Sequence, residues 1–176
     1  MLEFFKKIIY FLDQNKITYM LSGSVAMSIY TVPRATRDFD FVVHLKMENV
    51  KELASYFKEG FYCDEAAVKE AINQKGMFNI IDHHSGYKAD FVILKDELYR
   101  KTEFERRRPV RFLDINIYVV SPEDLLLSKI IWIQKLHSHL QIEDIKALQS
   151  IPGLDWKYIN HWIEDLKLNT FNLVNS

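Results

Sequence analysis

Asp38 and Asp40 flank a phenylalanine at the head of Asp38-Phe39-Asp40-Phe41-Val42-Val43, and Asp90 opens a second apolar run, Asp90-Phe91-Val92-Ile93. Alternate side chains of a strand share a face, so Asp38 and Asp40 point one way while Phe39 and Phe41 point into a core. Two carboxylates side by side repel each other unless a cation sits between them, and such an oxygen-rich site suits Mg²⁺ or Mn²⁺. Acids entering a buried strand need a partner, either a metal or an arginine, and Arg34 and Arg37 are the arginines nearby. The competing reading is an edge strand whose charges guard against unwanted pairing. Phe39, Phe41, Val42 and Val43 place apolar residues on both faces and argue against it. Asp90 alone could be an ordinary acid at a strand start. In company with the other two it would complete a ligand set and could take a proton from an attacking hydroxyl.

A second feature lies upstream, where thirteen residues separate Gly23-Ser24 from Asp38. Gly23-Ser24 falls where a short strand, Thr18-Tyr19-Met20-Leu21, hands over to a helix. Free backbone N–H groups at a helix start favour phosphate, and a small residue lets it approach closely. A Gly-Ser turn is often only a turn; followed by Asp-x-Asp on a strand it points to metal-dependent chemistry on a phosphate.

The elements that must position these residues can be read from periodicity. Phe4, Phe5, Ile8, Ile9 and Leu12 predict a helix over 2–15, and a short helix spans 25–30 until Pro33. The acid strand covers 38–45, and a helix follows over 47–58 with Gly60 as its stop. Tyr62-Cys63 reads as a brief strand and 64–73 as a helix. Strands over 77–81 and 87–94 are joined by the loop Asp82-His83-His84-Ser85-Gly86. A charged helix covers 96–107 and is closed by Pro109; residues 111–120 read as a strand interrupted near Asp114. Ser121-Pro122-Glu123-Asp124 is a helix start, with Ser as N-cap, Pro in first position and acids in the first turn. Helices then run over 122–137, 141–150 and 155–167. The expected fold class is α+β: a mixed β-sheet flanked by helices over residues 1–120, with a C-terminal helical bundle over 121–176 packed on it as one structural unit.

The chain of 176 residues is sized for one domain, and its net charge of −1 gives no bulk attraction to nucleic acid or an anionic membrane. Cys63 is the only cysteine, which excludes an internal disulfide and fits a reducing cytoplasm. The first residues are apolar but broken by Glu3, Lys6, Lys7 and Asp13, so they read as an amphipathic helix rather than a signal peptide or membrane span. The expectation is a soluble, cytoplasmic protein with no membrane partner.

Gly23-Ser24, Asp38-Phe39-Asp40 and Asp90 together resemble the DNA polymerase β-type nucleotidyltransferase superfamily. The segment from Pro33 to Val43 is similar to the small bacterial branch that includes minimal nucleotidyltransferases and abortive-infection-type toxin enzymes. The segment from Ser121 to Lys129, and the later pair Glu143-Asp144, resemble that branch's helical part. The resemblance covers about residues 18 to 148 and departs from the common pattern in having Ser24 where Gly is commoner. It implies a polymerase β-like core and transfer of a nucleoside monophosphate from an NTP such as ATP to an acceptor hydroxyl, with release of pyrophosphate. Asp38, Asp40 and Asp90 would hold Mg²⁺ or Mn²⁺, and Asp90 would also orient or deprotonate the acceptor. Gly23, Ser24, Arg37 and Lys129 would hold the nucleotide, although a lysine on an amphipathic helix is often simply solvated. The acceptor could be an RNA end, a protein hydroxyl or a small molecule. A toxin role beside a small antitoxin protein would follow by family analogy only.

Two other classes were weighed. A non-catalytic binding or regulatory module could retain the fold, and would leave Asp90 far from Asp38 and Asp40. A glycosyltransferase also uses Asp-x-Asp, but leaves Gly23-Ser24 and Asp90 without a role. Among the remaining features, Arg106-Arg107-Arg108 with Arg111 could dock RNA phosphates or simply end a helix. His83-His84 and His137-Ser138-His139 lack a third zinc ligand. Trp132, Trp156 and Trp162 read as core rather than as a base-stacking platform.

Overall fold

The computed structural model describes residues 2–33, 35–135 and 138–174. Seven strands form one mixed sheet: β1 (Tyr19–Ser22), β2 (Asp38–Val43), β3 (Phe61–Tyr62), β4 (Met77–Asp82), β5 (Lys88–Ile93), β6 (Arg108–Phe112) and β7 (Ile115–Val119). Their order across the sheet is β3-β4-β5-β2-β1-β7-β6. The acid-bearing β2 is therefore central, not an edge. It runs parallel to β5 and antiparallel to β1.

Among the described residues eight helices cover the sheet: α1 (Leu2–Gln14), α2 (Gly23–Tyr30), α3 (Val50–Tyr56), α4 (Glu65–Gln74), α5 (Leu98–Glu105), α6 (Pro122–Ile133), α7 (His139–Gln149) and α8 (Trp156–Asp165). The apolar stripe of α1 seals one face, where Phe4 and Phe5 meet the rings of Phe39 and Phe41, and Phe91 stacks between Phe41 and Phe78. Ring packing of this kind adds to the burial of apolar area that drives the fold. It also fixes Phe39 and Phe41 inward, which obliges Asp38 and Asp40 onto the opposite face. There α2 packs on β1 and β2, and α6 packs on α2, α7 and α8.

Three elements differ from the expectation. The helix expected over 47–58 is shorter, because a 3-10 turn at Met47–Asn49 precedes α3. The strand expected over 111–120 is a hairpin of β6 and β7. Leu113 and Asp114 both have positive φ, 48° and 64°, the backbone of a tight two-residue turn that matches strand twist. Pro109 does not end α5 but lies within β6, tolerated because β6 is the sheet's edge and a missing N–H costs no ladder bond on the open side. Among the described residues no helix is long and apolar enough to cross a membrane.

Candidate active site

The sheet register brings the acids together. In the parallel pairing of β2 with β5, Asp40 stands beside Asp90 and Asp38 beside Lys88. Lys88 and Asp90 are two apart on β5, so all four side chains share one face. The ammonium of Lys88 lies 2.8 Å from Asp90 Oδ2 and 3.9 Å from Asp38 Oδ1. The other oxygen of Asp90, Oδ1, is buried without a hydrogen-bond partner. Asp40 is held above the ordinary carboxylate range, first by burial and then by the negative charge of Asp90; Lys129 and Lys88 pull the other way, and Asp38 adds to the rise. Lys88 is raised from its usual value, chiefly by its hydrogen bond to Asp90.

Antiparallel pairing with β1 sets Ser22 opposite Asp40, so the turn into α2 begins directly against that carboxylate. Gly23 has φ +64°, and a Cβ there would overlap the Asp40 carboxyl group. Only glycine meets both demands. The preceding Ser22 gives α2 no side-chain cap, so the first N–H groups of this helix have no intrahelical acceptor. Gly23, Ser24, Asp38, Asp40 and Asp90 all line one cleft of about 490 Å³. Arg37 is exposed and is not among the described residues lining that cleft; its backbone carbonyl accepts from the Lys88 N–H at 3.1 Å. Arg34 lies outside the described residues.

The opposite wall is helical. Leu125, Ser128, Lys129 and Trp132 fall at i, i+3, i+4 and i+7 of α6 and all line the cleft. Lys129 is mostly buried and donates to Asp144 Oδ2 of α7 at 2.7 Å, an ion pair between groups only 13% and 4% exposed. It is no solvated lysine, and its charge works against the rise at Asp40. On α5, Glu103 accepts from Arg100 Nη1 at 2.8 Å and from Ser128 Oγ at 2.6 Å, while Arg100 Nη1 also reaches Ser128 Oγ at 3.2 Å. Burial pushes the Glu103 carboxyl above its usual value, and Arg100 and Ser128 offset part of that.

The wall is anchored from behind by Asp124, which is fully buried. It accepts from Tyr158 Oη at 2.6 Å, Ser121 Oγ at 2.6 Å and Arg106 Nε at 3.0 Å. Glu123 pairs with both Arg106 and Arg108, and Arg107 donates to the Phe104 carbonyl at 2.7 Å and lies over the Phe104 ring. Three arginines of the basic cluster are thus engaged within the fold; Arg106 and Arg108 pair with buried acids of α6, and Arg108 opens β6, rather than forming a solvated helix end.

Sequence reasoning missed several cleft residues. Lys88 was findable, since it precedes Asp90 by two and must share its face. Nothing local distinguishes Arg100 and Glu103 from surface charges; only the packing of α5 on α6 buries them. Trp132 was read as core, yet it is 58% exposed on the cleft wall, whereas Trp162 is buried and Trp156 packs partly against the core. Trp132 shares the phase of the buried Leu125 but lies two turns later, next to the C-terminal end of α6. His83 and His84 lie in the β4–β5 connection, and His137 lies outside the described residues.

Hard oxygen donors, an orphaned buried carboxylate oxygen and a cation already drawn among the acids fit a divalent metal in charge and chemistry. Among the described residues, however, no three His, Cys, Asp or Glu side chains are gathered as a ready-made metal cluster. Lys88 stands in the gap instead.

No family model matches the chain, and no curated protein does. Several solved structures match in three dimensions. ANT(2'')-Ia, in complex with adenylyl-2''-tobramycin, superposes with a TM-score of 0.61 at 12% identity, over 94% of this chain and 95% of that one. Lincosamide antibiotic adenylyltransferase LnuA, bound to lincomycin, gives 0.51 at 19% identity over 83% and 96%. An antigenic nucleotidyltransferase-like protein from Paracoccidioides brasiliensis gives 0.52 at 16% identity over 88% and 81%. The fold is the nucleotidyltransferase fold. At these identities the likeness concerns architecture, and it extends through the C-terminal helices that form the second wall of the cleft.

Proposed function

We propose that the chain is a metal-dependent nucleotidyltransferase that moves a nucleoside monophosphate from an NTP to a hydroxyl of a small-molecule acceptor. The observation that carries this reading is the register of β2 on β5, which lines up Asp40 with Asp90 beside Asp38 and against the glycine-opened start of α2. Asp38, Asp40 and Asp90 would hold Mg²⁺ or Mn²⁺. When bound, the metal would supply charge neutralisation at the phosphates and at the developing leaving group.

The protein's own residues do the rest. The backbone N–H groups at the start of α2, at Gly23 and Ser24, would bind phosphate oxygens, helped by the positive end of the helix. Lys129, held in place by Asp144, keeps a positive charge facing the acidic wall and favours the anionic triphosphate. Arg37, exposed beside the start of β2, would meet the nucleotide at the rim. The Asp90 carboxylate would accept the proton of the acceptor hydroxyl as the hydroxyl oxygen bonds to the α-phosphorus and pyrophosphate departs. The deep, partly apolar cleft supports a small acceptor, as do the neighbours bound to lincomycin and to an adenylylated tobramycin. RNA or protein acceptors, and an antitoxin partner, rest on the sequence resemblance alone.

Thermal unfolding with Mg²⁺ and each NTP tests the reading on wild type and on Asp38→Asn with Asp40→Asn. A nucleotide at one hundred times its Kd adds about 2.7 kcal/mol and raises Tm by roughly 5–10 °C in a chain of this size. The double variant should lose the shift. No shift with any nucleotide would return the chain to the binding-module reading.

A further inference from the structure

Among the described residues Lys88 is the one cationic side chain that pairs with two of the three site acids, and the proposed function gives it no role. Its Cα is fixed by the β2–β5 ladder and by its N–H bond to the Arg37 carbonyl at 3.1 Å. Its side chain, by contrast, is 35% exposed and pairs with Asp90 and, at longer range, Asp38. Lys129 differs: its partner Asp144 lies behind it and pins it within the helical wall. We propose that Lys88 is a built-in counter-cation, which a divalent metal must displace before it can engage Asp90 and Asp38.

Charge and donor count support this. Three carboxylates meet on one face, and Lys88 supplies a single positive charge directly among them. It occupies Asp90 Oδ2 while leaving Oδ1 of the same group buried and unpartnered, so the acid remains half compensated. A divalent ion brings twice the charge and accepts several oxygens at once, which an ammonium cannot do. The exchange nevertheless breaks a charge-assisted hydrogen bond, and metal alone meets that opposition in full. Nucleotide phosphates offer the released ammonium a new anionic partner, so metal and nucleotide would enter together. The unliganded site would keep a low affinity for free metal.

This inference rests on the carboxylates being metal ligands, and the test separates the two ideas. Free Mn²⁺ is measured by electron paramagnetic resonance during titration of wild type, Lys88→Met, Lys88→Arg and Asp40→Asn, without nucleotide. Lys88→Met should bind Mn²⁺ about tenfold more tightly than wild type, the scale of one lost charge-assisted hydrogen bond. Lys88→Arg should stay near wild type. Mn²⁺ should also raise the Tm of Lys88→Met more than that of wild type. Should Lys88→Met fail to fold, Lys88→Gln carries the same expectation. Binding that is lost in Asp40→Asn but equal or weaker in Lys88→Met overturns the role of Lys88 alone. Absence of Mn²⁺ binding in every protein overturns the metal reading and this inference with it.

Discussion

The two walls of the cleft treat charge in opposite ways. On the helical wall the buried acids are matched: Glu103 has Arg100 and Ser128, Asp144 has Lys129, and Asp124 has Ser121, Tyr158 and Arg106. On the sheet wall Lys88 pairs with two of the three acids, one oxygen of Asp90 has no hydrogen-bond partner, and Asp40 is raised by burial and by the charge of Asp90. A buried network whose members are all satisfied stiffens a structure. A cluster of under-compensated carboxylates does the reverse, and it persists only where the surrounding sheet holds it in place. Under the proposed function, one wall would position and the other would carry the chemistry.

Asp40→Asn breaks the comparison most sharply. Pyrophosphate release should fall at least about 10³-fold, equivalent to about 4 kcal/mol, while the Tm of the unliganded protein holds or rises because a repelled, buried charge is removed. A fall in Tm together with activity would mean that Asp40 is structural. Asp124→Ala is the mirror case. Leaving Tyr158, Ser121 and Arg106 without their shared partner should destabilise the protein by about 3 kcal/mol, read as a lower midpoint in urea unfolding. Residual folded protein should still respond to nucleotide.

Gly23→Ala touches both properties, because its backbone is left-handed and its Cβ would displace the Asp40 carboxylate. We expect a loss of about 2 kcal/mol and of nucleotide-induced stabilisation, measured by paired thermal scans. The smallest effect concerns pH. Burial raises the folded-state value of Glu103 above the ordinary 4.5. Its protonated form is therefore favoured by folding, so its contribution is fully present below that ordinary value and lost as pH rises through the raised one. Glu103→Gln should flatten the stability profile in that window, by under about 1 kcal/mol, in denaturation series from pH 4 to 7. An unchanged profile would mean that Arg100 and Ser128 cancel the burial.

Most of the sheet wall was legible from the chain. Alternation placed Phe39 and Phe41 inward and the acids outward, and the small residue at Gly23 marked the turn beside them. These are local signals with a period of two, and the strand enforces them. The N-cap at Ser121 was equally local, and its Oγ accepts from the Asp124 N–H. The helical wall was less so. Glu103, Arg100 and Asp124 carry the residue types of a solvated surface, and only long-range packing of α5, α6 and α8 buries them. Trp132 failed for the opposite reason: an aromatic type suggested the core, but it sits at the last turn of α6, exposed on the cleft wall. The break near Asp114 was legible but not the hairpin, because the other turn position is Leu113, a residue that does not announce a positive φ.

The pairing of Asp40 with Asp90 also has a kinetic side. The two residues are fifty positions apart and meet across a parallel ladder at the centre of the sheet. Such a contact needs closure of a long chain segment before any bond rewards it, so it belongs among the slower events of folding. The hairpins β4–β5 and β6–β7 can form earlier from neighbouring residues. A nascent chain would therefore acquire most of its secondary structure before it could gather its acids, and a ligand that needs both strands would act on the finished state. Metal and nucleotide should then slow unfolding and leave the refolding rate almost untouched.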